Sequence, residues 1–202
     1  YLTIVYFLVI WAFVPWMGNL RNLSNILSNM WPLLAVAIGQ TFVLIVAGID
    51  LSQTSIMAVT SVASVSLITT AVNPILFEKA PLWGSILSEN GGILAGSPLG
   101  FPIAIVVLIV IGVAIGFING ISVGVFRMPA FIVTMISMMG FSAVAIFLTK
   151  SENIMNTPVA FNAISEKPLG VISYSFFIAA GLAVVAHIIL SKSIIGRWMY
   201  AV

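Results

Sequence analysis

Apolar residues run without alternation over 1–17, 31–49, 52–72, 101–125, 130–149 and 171–190. A helix needs about 20 mainly apolar residues to cross roughly 30 Å of hydrocarbon, so these runs predict six membrane-spanning helices. They are about twice the length of a barrel strand and lack its two-residue period, which favours helices over a β-barrel. The expected fold class is therefore all-α, a polytopic transmembrane helical bundle forming one domain over 1–202. Three longer polar connections, 18–30, 73–100 and 150–170, are expected to share one side of the membrane.

Composition agrees with lipid as the solvent. The 202 residues are 61% hydrophobic and 6% charged, against about a quarter charged in a soluble domain. A formal net charge of +2, with scattered cations, does not describe a nucleic-acid surface. With no cysteine there is no disulfide, thiolate metal site or cysteine nucleophile. The short segments holding Arg127 and the tail with Lys192 and Arg197 are richer in cations per residue than the long connections. There Lys79, Lys150 and Lys167 lie beside Glu78, Glu152 and Glu166. The short segments are assigned to the cytoplasm and the long ones outside. The chain opens at Tyr1 inside an apolar run and closes at Val202 soon after a basic patch, so a fragment lacking further C-terminal helices, and N-terminal residues too, is expected.

The stretch VLIVAGIDLSQTS, from Val43, sets Asp50 between two apolar runs. A carboxylate near hydrocarbon costs about 2.5 to 3.5 kcal/mol or more, so it needs a partner. Gly48 is expected to take the left-handed conformation that ends a helix, and Asp50 to cap the next one. Gln53, three residues on, is expected to reach back as a capping-box partner. Two readings follow. Asp50 caps a helix and no more, or the break is a discontinuous membrane helix whose free backbone, with Ser52, Gln53, Thr54 and Ser55, lines a watery path. Hydroxyls and amides suit a neutral polyhydroxylated solute.

Gly112, Gly116, Gly120 and Gly124 follow one another at four-residue spacing and predict a closely packed helix face, with a glycine-lined substrate path as the alternative. His187 has no second ligand candidate near it, so no metal site is expected. Arg127, ahead of Pro129, reads as a cytoplasmic turn. No glycine-rich stretch ends in the lysine and hydroxyl that cradle a triphosphate. Histidine, acid and nucleophile are nowhere paired, so the chain is not expected to be an enzyme.

The run AGIDLSQTSIMAVTSVAS resembles the signature of the permeases of bacterial sugar-type ATP-binding-cassette importers, the ribose, xylose and galactose group. INGISVGVFRMPAFIVTMISMMG resembles that family's asparagine-glycine turn and proline-led helix, and SKSIIGRWMYAV the start of its cytoplasmic coupling segment. The three matches occur in family order from about residue 23 to the end.

The resemblance implies the type II importer permease fold in the bacterial inner membrane. Asp50, Ser52, Gln53, Thr54, Asn119 and Thr134 would lie along the substrate path, with Gly196 and Arg197 at the coupling segment. It implies a second permease subunit, identical or not, a cytoplasmic ATPase that uses ATP and Mg, an extracytoplasmic solute-binding protein, surrounding lipid, and no cofactor in this chain. Where the family commonly has valine, glycine and serine after GIDLS, this chain has Gln53, Thr54 and Ser55, and Ala47 replaces a frequent glycine. Trp83, Glu89, Gly91 and Gly92 fall in an unusually long connection, expected to be a flexible insertion, with a docking surface for the binding protein as the alternative. An ion-driven carrier and a branched-chain amino acid permease are the competing functions.

Overall fold

The computed structural model describes residues 1–166 and 172–201. The expected helix start at residue 171 and the end of the last polar connection, with Lys167, lie outside the described residues. Six apolar helices account for the expected spans: α1 Leu2–Phe13, α2 Leu20–Ile45, α3 Gln53–Ile68, α5 Gly100–Gly124, α6 Ala130–Thr149 and α8 Tyr174–Lys192. Short elements separate them: α4 Pro74–Phe77, a hairpin of β1 Leu87–Ser88 and β2 Gly91–Gly92, α7 Val159–Asn162 and, after α8, α9 Ile194–Met199. Among the described residues α2, α5, α6 and α8 are long and apolar enough to cross a bilayer.

Four boundaries differ from those expected by four residues or more, one of them the end of the second helix, at Ile45 rather than residue 49. The first helix stops at Phe13, because Pro15 opens a 3-10 turn over Pro15–Gly18. The second begins at Leu20 rather than residue 31, with Asn19 accepting from the Arg21 amide at 3.1 Å. The polar stretch before Trp31 is thus mostly helix. Leu20, Leu23, Leu27 and Met30 recur at three- and four-residue spacing among polar neighbours, which is an amphipathic helix period. The third helix ends at Ile68, short of the expected residue 72.

The chain divides into two compact units, Tyr1–Val46 with Ala163–Val202, and Ala47–Asn162. In the first, α2 packs against α8, and the Trp31 and Phe176 rings meet edge to face at 4.8 Å. In the second, α3 lies between α5 and α6, around Val59, Ile115 and Ala145.

The burial of α3 follows from its sequence. It carries a hydroxyl at nearly every turn, and those of Thr60, Ser61, Ser64 and Ser66 bond back to their own helix: Thr60 Oγ1 donates to the Ile56 carbonyl at 2.7 Å and Ser64 Oγ to that of Thr60 at 2.8 Å. Small side chains whose donors are already used let the flanking helices approach closely.

At 16 residues, α3 reaches only about 24 Å. Beyond Thr69 the backbone is extended, and irregular backbone at membrane depth must be covered by protein. The long connection 73–100 does this. Far from a flexible insertion, it folds over Val72, Phe77, Ala80, Leu82 and Leu87, packed with Trp83 and Leu148. Its hairpin takes the free carbonyls at the end of α3: the Gly92 amide donates to Thr69 at 2.9 Å and Leu94 to Leu67 at 2.9 Å. A Cβ at Gly91 or Gly92 would lie 2.2 Å from the Thr69 or Ser66 carbonyl oxygen, so no other residue fits there.

Candidate functional site

The helix break is real. Residues 46–52 are non-helical between α2 and α3. The left-handed residue is Ala47, φ 55°, and not Gly48. A β-carbon in that region costs about 1–2 kcal/mol, so this chain carries strain at the position where the resembled family often has glycine.

Asp50 also sits differently from expectation. The N-cap of α3 is Ser52, and Asp50 stands two residues ahead of it. Its Oδ1 accepts from the Ser52 amide at 2.8 Å and from Ser52 Oγ at 2.6 Å. This is an Asx turn that settles the chain before the helix begins. Gln53 is the first helical residue, so it does not hold the capping-box position three residues after the cap.

Ser52 then leads across the unit. Asn119 of α5 donates through Nδ2 to Ser52 Oγ at 3.0 Å, and Ser137 of α6 donates to Asn119 Oδ1 at 2.5 Å. Thr134, one turn before Ser137, donates to the Ile49 carbonyl at 3.2 Å and to the Ala130 carbonyl at 2.8 Å. Four expected site residues are brought together, namely Asp50, Ser52, Asn119 and Thr134. Ser52, Asn119 and Thr134 are buried. In a low-dielectric interior such a connected chain is rigid. Gln53 is half-buried and Thr54 exposed. Ser137 completes the chain and was missed. Its signal was the Thr-x-x-Ser spacing, which sets two hydroxyls on one face of α6.

The four glycines of α5 do not share one contact. A Cβ at Gly112 would lie 3.8 Å from Ile56, in ordinary contact, whereas at Gly116, Gly120 and Gly124 it would meet nothing within 4 Å among the described residues. Residues four apart advance by about 40° around a helix of 3.6 residues per turn. The stripe therefore turns away from the seam that Ile115 and Asn119 make with α3.

At the other end of the first unit, Ser193 joins α8 to α9. Its hydroxyl donates to the Ile189 carbonyl at 2.6 Å and accepts from the Gly196 amide at 3.1 Å. Gly196 is buried, and a Cβ there would lie 2.3 Å from the Leu190 carbonyl oxygen. The joint folds α9 back onto the end of α8. Arg197 is exposed beside Ile194, Ile195 and Trp198, which are exposed as well. His187 lies exposed on α8, and no cluster of metal-ligating side chains occurs among the described residues.

The sequence pattern of one family, described as the permease component of the branched-chain amino acid transport system, matches residues 22–202. The chain belongs to that permease family. A similar protein is the probable ABC transporter permease protein y4mJ of Sinorhizobium fredii (strain NBRC 101917 / NGR234), 26% identical over 191 residues, which are 94% of this chain and 49% of that protein. This permease chain thus spans about half the length of that relative. No solved structure matches it. With its family and, among the described residues, four apolar helices long enough to span, the permease is a multi-pass inner-membrane protein.

Proposed function

We propose that this permease chain is the membrane-spanning part of an ATP-binding-cassette importer that carries a sugar or sugar-like solute into the cytoplasm. The observation that carries the solute class is the chemistry at the helix break. Hydroxyls and amides of Ser52, Gln53, Thr54, Asn119 and Thr134 gather there with one carboxylate, Asp50, that already holds two donors. A neutral polyol is satisfied by hydroxyls and amides alone, whereas a zwitterion brings two charges, and charge is scarce in the spans.

In this proposal the hydrogen-bonded chain from Asp50 through buried Ser52 and Asn119 to Ser137 fixes the start of α3. Gln53 and Thr54, less buried than Ser52, meet the solute. Motion reaches the break from a cytoplasmic ATPase, which uses ATP and Mg and docks on α9 at Gly196, Arg197 and the apolar side chains around them. Gly116, Gly120 and Gly124 are left for a second permease subunit, and an outer binding protein delivers the solute.

The family's description favours a second reading, a branched-chain amino acid as cargo. Uptake into proteoliposomes holding the full permease, its ATPase and its binding protein separates the two. The sugar proposal expects ATP-dependent entry of labelled D-ribose, D-xylose or D-galactose that excess leucine leaves unchanged. Entry of leucine alone overturns it.

A further inference from the structure

A second polar site lies at the opposite end of α3 from the break. Past Thr69 the extended chain runs beside residues 155 and 156, and three side chains zip the two together. Thr69 Oγ1 donates to the Met155 carbonyl at 2.5 Å, Thr70 Oγ1 to that of Asn156 at 2.8 Å, and Asn156 Nδ2 to that of Ala71 at 3.2 Å. Beside this seam is a cavity of ≈ 270 Å³ whose lining includes Asn73, Phe77, Glu152, Asn153, Ile154 and Asn156. Its walls are joined by these side-chain bonds and by the Thr70 amide, which donates to the Asn156 carbonyl at 2.9 Å.

The polar groups facing it are largely unspent. Asn73 uses Oδ1 on the Ile75 amide at 3.0 Å, leaving its two N–H donors. Asn156 uses an N–H on Ala71, leaving its oxygen. Among the described residues Glu152, half-buried, and Asn153 make no side-chain hydrogen bond or ion pair. Glu152 is half-buried and Asn73, Asn153 and Asn156 are exposed, so water reaches these groups and a ligand's hydroxyls can take its place.

We propose that this cavity is an outer subsite where the solute first binds on its way to the break, with Glu152 and Asn153 as its hydrogen-bonding residues. The proposal rests on the sugar importer proposed above and adds a place to it. The volume is just below the roughly 300–1,000 Å³ of drug-sized ligand pockets, which suits a solute of monosaccharide size. One carboxylate and three amides can take up several hydroxyls in both directions, while among the described residues no Lys or Arg lines the cavity. Glu152 and Asn153 also border a neighbouring depression with Val62, Ala145 and Thr149. A solute passing them therefore meets α3 and α6. Those are the helices that lead to Ser52 and Ser137.

The test uses the complete importer in proteoliposomes with labelled D-ribose, D-xylose and D-galactose, comparing wild type with Glu152→Gln and Asn153→Ala. The subsite expects an apparent KM raised about tenfold in Glu152→Gln, as for loss of a charge-assisted hydrogen bond, with the maximal rate retained. Asn153→Ala should raise KM with the same retention. Recovery of each variant in complex with the ATPase checks assembly, and if Glu152→Gln fails that check, Asn153→Ala decides. Sugar uptake by wild type with unaltered KM in an assembled variant overturns the subsite and leaves the importer standing. No uptake of any of the three sugars by wild type overturns the solute class, and the subsite with it.

Discussion

Two residues decide how the helix break is held. Ala47 carries the left-handed turn at φ 55° with a β-carbon in the way. Replacing it by glycine removes about 1–2 kcal/mol of local strain and returns about 0.5–1 kcal/mol through the freer unfolded chain. Ala47→Gly should therefore raise thermal stability by up to ~1 kcal/mol, read as a higher unfolding temperature in nanodiscs. Asn119 joins Ser52 to Ser137. Asn119→Ala removes the acceptor of the Ser137 hydroxyl and one donor to Ser52, which keeps its bond to Asp50, at a cost of ~1–3 kcal/mol. The same unfolding measurement should show a clear loss, and Asn119→Gln, which keeps the amide, should not reproduce wild type because the longer side chain overfills a packed site.

At the scale of elements, the hairpin is what lets α3 be short. Gly92→Ala places a methyl against the Ser66 carbonyl, and the hairpin must lift to admit it. Hydrogen exchange at the Gly92 and Leu94 amides should then accelerate by roughly 5- to 150-fold, equivalent to about 1–3 kcal/mol of lost protection. Unaltered exchange would show that the hairpin does not depend on this contact.

Hydrophobic run length placed α5 and α6 to within a residue, because their ends are marked by Gly100 and by the turn from Arg127 to Pro129. It misplaced the start of α2, where an amphipathic period replaced a uniform run, and the end of α3. The second error has a tertiary cause. Nothing local stops the helix at Ile68; the carbonyls that follow are taken by residues more than twenty positions away. The same distance hid the site. GIDLS advertised a break, but that Asp50 bonds Ser52 and that Ser52 bonds Asn119 depends on which faces of α5 and α6 turn inward.

For the whole molecule, the topology proposed from the charge asymmetry has Glu89 and Ser151 outside and Arg127 inside. These 202 residues contain no cysteine, so single substitutions at these positions report topology when compared with the unsubstituted protein. An impermeant maleimide added to intact cells should label Glu89→Cys and Ser151→Cys, and should label Arg127→Cys only after the membrane is opened. The reverse pattern would invert the proposed direction of transport. What drives transport follows from the sparse charge of the spans, which offers an ion-coupled carrier few groups to titrate. The most direct measurement is solute uptake by the complete assembly in vesicles with ATP, or with an imposed ion gradient, as the sole energy source. The account predicts uptake that requires ATP and survives ionophores. Uptake that persists without ATP and collapses with the ion gradient would contradict it.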